Sequence, residues 1–148
     1  MDKNSSDSHI AAHFIEFYEK LSLSSVPTLS KVVHDDINFR DPFNNVTGIE
    51  KYSGIMREMF MSVPDIKFSI ISYSYAGETC YLRWKSSGSL KMVSDGPWVI
   101  EGVSELTFHS DGRVLTHIDF WDAGRQFYEY VPVLGRLIKA IRRRLSYD

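Results

Sequence analysis

Gly112-Arg-Val-Leu-Thr-His-Ile-Asp-Phe-Trp-Asp122 decides how the rest of the chain is read. It opens at an Asp111-Gly112 turn and then alternates. Leu115, His117, Asp119 and Trp121 face one way, and Val114, Thr116, Ile118 and Phe120 the other. The second face is apolar. The first sets an imidazole, a carboxylate and an indole side by side, a combination that packing a strand does not require. That face reads as the wall of a pocket.

The segments upstream alternate too. From Asp65 the period changes from helical to two: Ile66, Phe68 and Ile70, then Ile71, Tyr73 and Tyr75 after a bulge. A turn at Ala76-Gly77-Glu78 leads to residues 79–86, with Cys80, Leu82 and Trp84 on one face and Tyr81, Arg83 and Lys85 on the other. Asp95-Gly96-Pro97 marks a loop tip before residues 98–108. Long strands joined by short turns predict an antiparallel meander. Tyr81 and Arg83 are assigned to its pocket side. Leu82, Trp84, Val114, Ile118 and Phe120 are assigned to an outer face apolar enough to call for a second copy of the chain, a homodimer.

Helical periods flank the meander. Asp7 or Ser8 can cap a helix with Ile10, Phe14, Phe17, Tyr18 and Leu21 on one side. A short second helix, Pro27 in its first turn, points Leu29, Val32 and Val33 inward and ends near His34. Residues 35–43 read as a short strand stopped by Pro42, which places Asp41 at a strand end. After Gly48 a third helix carries Tyr52, Ile55, Met56, Met59, Phe60 and Val63 at helical spacing, with Pro64 as its stop. The expected architecture is therefore α+β: a curved, cone-like antiparallel sheet packed on N-terminal helices. Its expected organisation is a disordered opening (1–7), one domain (8–122) and a helical extension (123–148).

Composition agrees with one packed domain. The chain has 148 residues, 43% of them hydrophobic and 14% aromatic, enough for a core and an aromatic-lined cavity. One cysteine, Cys80, excludes an internal disulfide and a Cys-rich zinc site, and five scattered histidines suggest no metal centre. With neither a leader pattern nor a long apolar run, the expected location is cytoplasmic. A net charge of −2 argues against nucleic acid as a partner. The charge is uneven, because residues 136–148 hold five basic and one acidic side chain, +4, which leaves −6 on the first 135. Leu134, Leu137, Ile138, Ile141 and Leu145 line one side of this tail, and Arg136, Lys139, Arg142, Arg143 and Arg144 the rest. Three fates are open to it: packing over the pocket mouth, lying on an anionic membrane surface, or docking on a partner.

The order of elements resembles the nuclear transport factor 2-like superfold, and its SnoaL-like branch in particular. His34-Asp-Asp-Ile-Asn-Phe-Arg-Asp-Pro-Phe43 is similar to the ketosteroid isomerase segment whose general base is the aspartate before the proline, Asp41 here. The resemblance puts Tyr18 at the position of those enzymes' oxyanion-hole tyrosine and Ser104 where they keep a protonated aspartic acid. Gly102-Val-Ser-Glu-Leu106 and His117-Ile-Asp-Phe-Trp-Asp122 resemble limonene epoxide hydrolases and SnoaL-like polyketide cyclases, whose base corresponds to Asp119. Arg83 matches the arginine that the epoxide hydrolases pair with that base, while Lys85 stands where they hold a second carboxylate.

The residues themselves admit two readings. Asp119 among aromatic neighbours can serve as a general base or form a structural ion pair with Arg83. His117 can move a proton or be a satisfied core residue, and Asp41 can be a base or a turn former. Tyr18 can polarise a carbonyl or simply pack. Trp121, Tyr81, Met59 and Phe60 are expected as pocket wall. The implied function is cofactor-free acid–base chemistry of isomerase, cyclase or hydrolase type on a hydrophobic small molecule. The alternative is non-catalytic binding of an apolar ligand, or a dimeric interaction scaffold.

Overall fold

The computed structural model describes residues 3–147, with side chains from Ile10 onward. Helix α1 (Lys3–Glu19) starts earlier than the Asp7 or Ser8 cap expected, so residues 3–7 of the opening are helical; Met1 and Asp2 lie outside the described residues. Ala11, Phe14 and Tyr18 recur at three- and four-residue steps and are buried. The expected second helix is a single 3₁₀ segment, Val26–Lys31, with Pro27 near its start and Val26 and Leu29 buried. It stops because Val33 already begins β1 (Val33–Arg40), where Ile37 and Phe39 point inward. A three-residue strand, β2 (Asn45–Thr47), pairs antiparallel with β1. Helix α2 (Ile49–Ser62) follows and buries Tyr52, Met56 and Phe60, one turn apart.

The meander is as expected: β3 (Lys67–Ala76), β4 (Thr79–Gly88), β5 (Trp98–Phe108) and β6 (Val114–Trp121), with the β3 bulge between Ile70 and Ser72. Among the described residues the strands form one open sheet in the order β2-β1-β6-β5-β4-β3. The sheet is mixed, not wholly antiparallel, because β1 runs parallel to β6; Phe39 lies beside His117 and Arg40 beside Ile118.

Register decides which side of each strand looks inward, and it reverses one assignment. Leu82 is paired with Ser104 and Ser104 with Asp119, so these three share a face. Leu82 and Trp84 are buried on the inner side, while Tyr81 is exposed and Arg83 lies outward, paired with Val103 and, beyond it, Phe120. Tyr81 and Arg83 are therefore not pocket residues. Val114 also turns inward, fully buried, because the register shifts between Thr107 and Phe108. Ile118 and Phe120 keep the outer position expected of them.

After β6, Asp122 accepts a hydrogen bond from Arg125 N (3.0 Å) and caps the one-turn α3 (Ala123–Gln126). Trp98 Nε1 donates to Gln126 O (2.6 Å) and Glu101 N to Gln126 Oε1 (2.6 Å), tying this turn to β5. A short 3₁₀ turn, Tyr128–Tyr130, leads to α4 (Leu134–Leu145). No residue of α4 lines the cavity described below. Among the described residues, no helix is long and apolar enough to cross a membrane.

Candidate functional site

The inner faces of α1, α2 and the sheet enclose a cavity of about 660 Å³, the size of small-molecule sites. Its wall is mostly apolar and aromatic, including Phe14, Phe39, Met59, Trp84, Trp98, Trp121 and Phe127. Besides the Tyr18 hydroxyl from α1, the polar groups that line it fall into two sets. Ser104, His117 and Asp119 come from the paired strands β5 and β6, whereas Asp41, Asn44, Lys51, Glu58 and Ser62 belong to the β1–β2 turn and to α2.

Cross-strand geometry assembles the first set. Residues directly opposite on an antiparallel pair stand close enough to interact, and Ser104 is opposite Asp119. The Ser104 hydroxyl donates to Asp119 Oδ1 in a short hydrogen bond and accepts from Trp84 Nε1 at 2.9 Å. The indole can reach across to Ser104 because the β5 residue opposite Trp84 is Gly102. A Cβ there would meet the Trp84 ring at 2.6 Å and Phe120 O at 2.7 Å. His117 Nε2 lies 2.8 Å from the same Asp119 Oδ1 and 3.3 Å from Ser104 Oγ.

A carboxylate only accepts, so Nε2 carries the proton that faces Asp119. The other ring nitrogen, Nδ1, is 3.1 Å from the Tyr52 hydroxyl, which is 3.4 Å from the Tyr18 hydroxyl; that in turn lies 3.4 Å from Met56 Sδ. When His117 is neutral, Tyr52 donates into Nδ1. When the ring is protonated, Tyr52 can rotate its proton toward Tyr18 and accept from Nδ1–H. The chain of hydroxyls thus serves both forms of the imidazole. Burial first, then the Asp119 charge, raises the Tyr18 pKa above the ordinary phenol value; burial and then Tyr18 do the same for Tyr52. Both phenols are neutral donors at ordinary pH.

The His117 ring is 2% exposed and stands within 6.0 Å, centroid to centroid, of Phe14, Tyr18, Phe39 and Tyr52. Asp119 is more open, its side chain 17% exposed toward the cavity. Among the described residues its second oxygen, Oδ2, accepts no hydrogen bond, and it is not among the buried unsatisfied atoms. Oδ2 is thus the oxygen of this set that an incoming molecule can touch.

The structure brings Asp119, His117, Tyr18 and Ser104 together and puts Met59 and Trp121 in the wall. Phe60 is buried in the core instead of lining the cavity. Asp41 lines the cavity, but its carboxylate is occupied. Oδ1 accepts from Phe43 N (2.8 Å), Asn44 N (2.6 Å) and Asn44 Nδ2 (3.0 Å), closing an Asx turn. Arg83 is on the far side of the sheet, so the expected Arg83–Asp119 ion pair does not form. Tyr52, which helical spacing marks only as an inward position, proves to be the partner of His117. The available signal was a tyrosine on an apolar helix face, since a buried phenol needs a hydrogen-bond partner.

Two further groups are chemically placed but lie outside the cavity lining. His34, His109 and Asp111 bring one ligand atom each within 4.8 Å of one another, although the sequence scatters them. Both imidazoles accept backbone N–H groups at Nδ1, from Asp36 at 3.1 Å and Asp111 at 3.4 Å, and Asp111 Oδ2 accepts from Arg113 Nε at 2.9 Å. Cys80 is buried, and burial pushes its thiol up to about 11, which keeps it unreactive.

A family model described as a SnoaL-like domain matches residues 14–117. Among solved structures, the chain is similar to a proposed SnoaL-like polyketide cyclase from Jannaschia, at 13% identity and a TM-score of 0.65 over 80% of this chain and 86% of that one. It is similar to AclR, a proposed hydroxylase from Streptomyces galilaeus, at 16% identity and a TM-score of 0.64 over 97% and 99%. It is also similar to an NTF2-like protein of unknown function from Exiguobacterium, at 19% identity and a TM-score of 0.64 over 76% and 98%. At such identities the likeness is one of fold. No curated protein matches the chain.

Proposed function

The chain belongs to the SnoaL-like domain family, and we propose that within it this protein carries out acid–base chemistry on an apolar small molecule without a cofactor, Asp119 serving as the general base. The observation that carries this reading is the free Oδ2 of Asp119 at an apolar cavity, with Oδ1 held by His117 and Ser104. Fixing one oxygen aims the other, which is how a positioned base gains over one in solution. A proton from a carbon acid or from water would pass to Oδ2. His117, with the Tyr52 hydroxyl able to donate or accept behind it, would keep Asp119 oriented through the transfer.

Charge developing on a substrate oxygen needs a donor, and Tyr18 lines the cavity with a proton to give. Its hydroxyl points at the Met56 thioether at 3.4 Å, a weak acceptor, so a ligand oxygen competes well for it. The cavity volume and its aromatic wall favour a compact cyclic or branched apolar skeleton.

Deuterium exchange tests this directly. Apolar cyclic ketones and epoxides would be incubated with the protein in D₂O and followed by mass spectrometry for exchange or ring opening. Asp119→Asn is expected to lose at least about a hundredfold in rate, the usual contribution of a general base. The second reading, a carrier of an apolar ligand, draws on the same two bonds to Oδ1, which also describe a purely structural carboxylate. Compounds that bind tightly and leave unchanged, equally in wild type and Asp119→Asn, would establish the carrier and dismiss the enzyme.

A further inference from the structure

Helix α4 is attached to the body along one side. Gly135 fits against the Glu129 backbone so closely that a Cβ would stand 2.1 Å from Glu129 O. Arg142 Nε and Nη2 donate to the buried Glu129 carboxylate at 2.6 and 3.2 Å. Apart from the half-buried Ile138, the apolar stripe is turned away from that attachment and left in water. Leu137 is 59%, Ile141 51% and Leu145 82% exposed, and Val133, just before the helix, is 77% exposed with a φ of 66° that a β-branched residue rarely adopts. The helix therefore does not pack its stripe over the cavity mouth.

The cations on the other face of the helix point to what covers the stripe. Among the described residues Arg136, Lys139, Arg143 and Arg144 are in no ion pair, in contrast to Arg142. A second copy laid stripe to stripe would cover the apolar residues but leave these four cations, on the other face of the helix, without a counter-charge. An anionic lipid surface satisfies both halves of the pattern, apolar side chains entering the acyl boundary and cations meeting headgroups. We propose that α4 docks this protein on an anionic lipid surface through Leu137, Ile141 and Leu145, with Arg136, Lys139, Arg143 and Arg144 supplying the electrostatic attraction. The Tyr128–Tyr130 turn joins α4 to Phe127 of the cavity wall, so docking would hold the cavity close to the lipid. The proposal is independent of any chemistry at Asp119.

Co-sedimentation with large vesicles tests it, using phosphatidylcholine alone and equal parts phosphatidylcholine and phosphatidylserine. The full chain is expected to pellet with the anionic vesicles only, and less as salt rises. Arg143→Gln with Arg144→Gln should weaken partitioning by about fivefold for each charge removed. Leu137→Glu with Ile141→Glu should abolish it; both positions are exposed, and unchanged circular dichroism would confirm folding. Failure of the full chain to bind anionic vesicles overturns the proposal, as does a double Glu variant that binds like wild type. Vesicle-free protein whose sedimentation shows a complex, with itself or an added acidic protein, lost in the double Glu variant would reassign the stripe to that protein and likewise overturn it.

Discussion

Replacing Tyr52 by Phe removes one oxygen from the middle of the molecule and nothing else, which makes it a sharp test of the network around His117. Tyr52 is fully buried, and its hydroxyl is the partner of His117 Nδ1 at 3.1 Å. His117 is 2% exposed, so water does not replace the lost bond. A buried polar atom left unpaired costs about 1–3 kcal/mol. For a domain of this length each kcal/mol lowers Tm by about 2–4 °C, so a central value of about 2 kcal/mol lowers it by about 4–8 °C. Tyr18→Phe provides the control. Its hydroxyl has only two contacts at 3.4 Å, one of them to sulfur, and its loss should cost well under about 1 kcal/mol. The assay is urea unfolding followed by tryptophan fluorescence and by far-ultraviolet circular dichroism, which must coincide for a two-state reading. A cycle that combines Tyr52→Phe with His117→Leu should show a coupling of about 0.5–3 kcal/mol. If Tyr18→Phe destabilises as much as Tyr52→Phe, or the cycle is additive, the phenol–imidazole bond is not what holds this region.

Three more expectations concern the sheet, and one the alkaline limb. Arg83→Gln should leave ligand binding and turnover unchanged, since Arg83 lies on the outer face; a tenfold loss would return it to the site. Gly102→Ala should destabilise by about 1–3 kcal/mol through overpacking against Trp84, and it fails as a prediction if the variant unfolds at the wild-type urea midpoint. We infer that the exposed Phe120, Val103 and Val99 on the outer face join two copies of the chain; sedimentation should find a wild-type dimer and a Phe120→Asp monomer, and a wild-type monomer ends the idea. Phenols of the unfolded chain ionise near pH 10, about the model-peptide value, whereas Tyr18 and Tyr52 keep their protons beyond it in the fold. The native state then holds more protons than the unfolded one. This contribution is complete below pH 10, and above it stability should fall by about 1.4 kcal/mol per pH unit for each tyrosine. Tyr18→Phe and Tyr52→Phe should each flatten that limb, as read by urea unfolding at stepped pH, and an unchanged slope would show that these phenols ionise freely in the fold.

Periodicity carried much of the fold because burial on one side writes itself into residue order. The change of period at Asp65, the β3 bulge and the alternation from His117 to Trp121 could all be read directly. β2 could not, since Asn45–Thr47 is a short edge segment without an alternating pattern. The parallel pairing of β1 with β6 was hidden too, because alternation says nothing about a strand's neighbour. On β4 the face with Leu82 and Trp84 is the more apolar, but the match of Arg83 to the epoxide hydrolases' arginine drew the other face, Tyr81 with Arg83, toward the pocket. The choice is made by the ladder that sets Leu82 opposite Ser104 and Ser104 opposite Asp119, and by the space that Gly102 leaves for an indole. Asp119 and His117 stood out as polar groups on an otherwise apolar strand face, whereas Ser104 and Tyr18 were marked by the resemblance to ketosteroid isomerases. Tyr52 was not, because its ring fits the helix pattern and only its hydroxyl matters.

The pairing of β1 with β6 also governs how the chain comes to its native state. His117 belongs to the last strand, yet Phe14, Tyr18, Phe39 and Tyr52 around it all precede the meander, and even the nearest of them, Tyr52, is 65 residues away. During synthesis these aromatic side chains can meet one another and Phe68, but the imidazole they surround is missing until β6 has left the ribosome. Contacts of such long sequence separation make folding slow and leave the early half exposed to association with other chains. The histidine buried in the cavity wall is thus also the residue whose arrival completes the aromatic cluster around it.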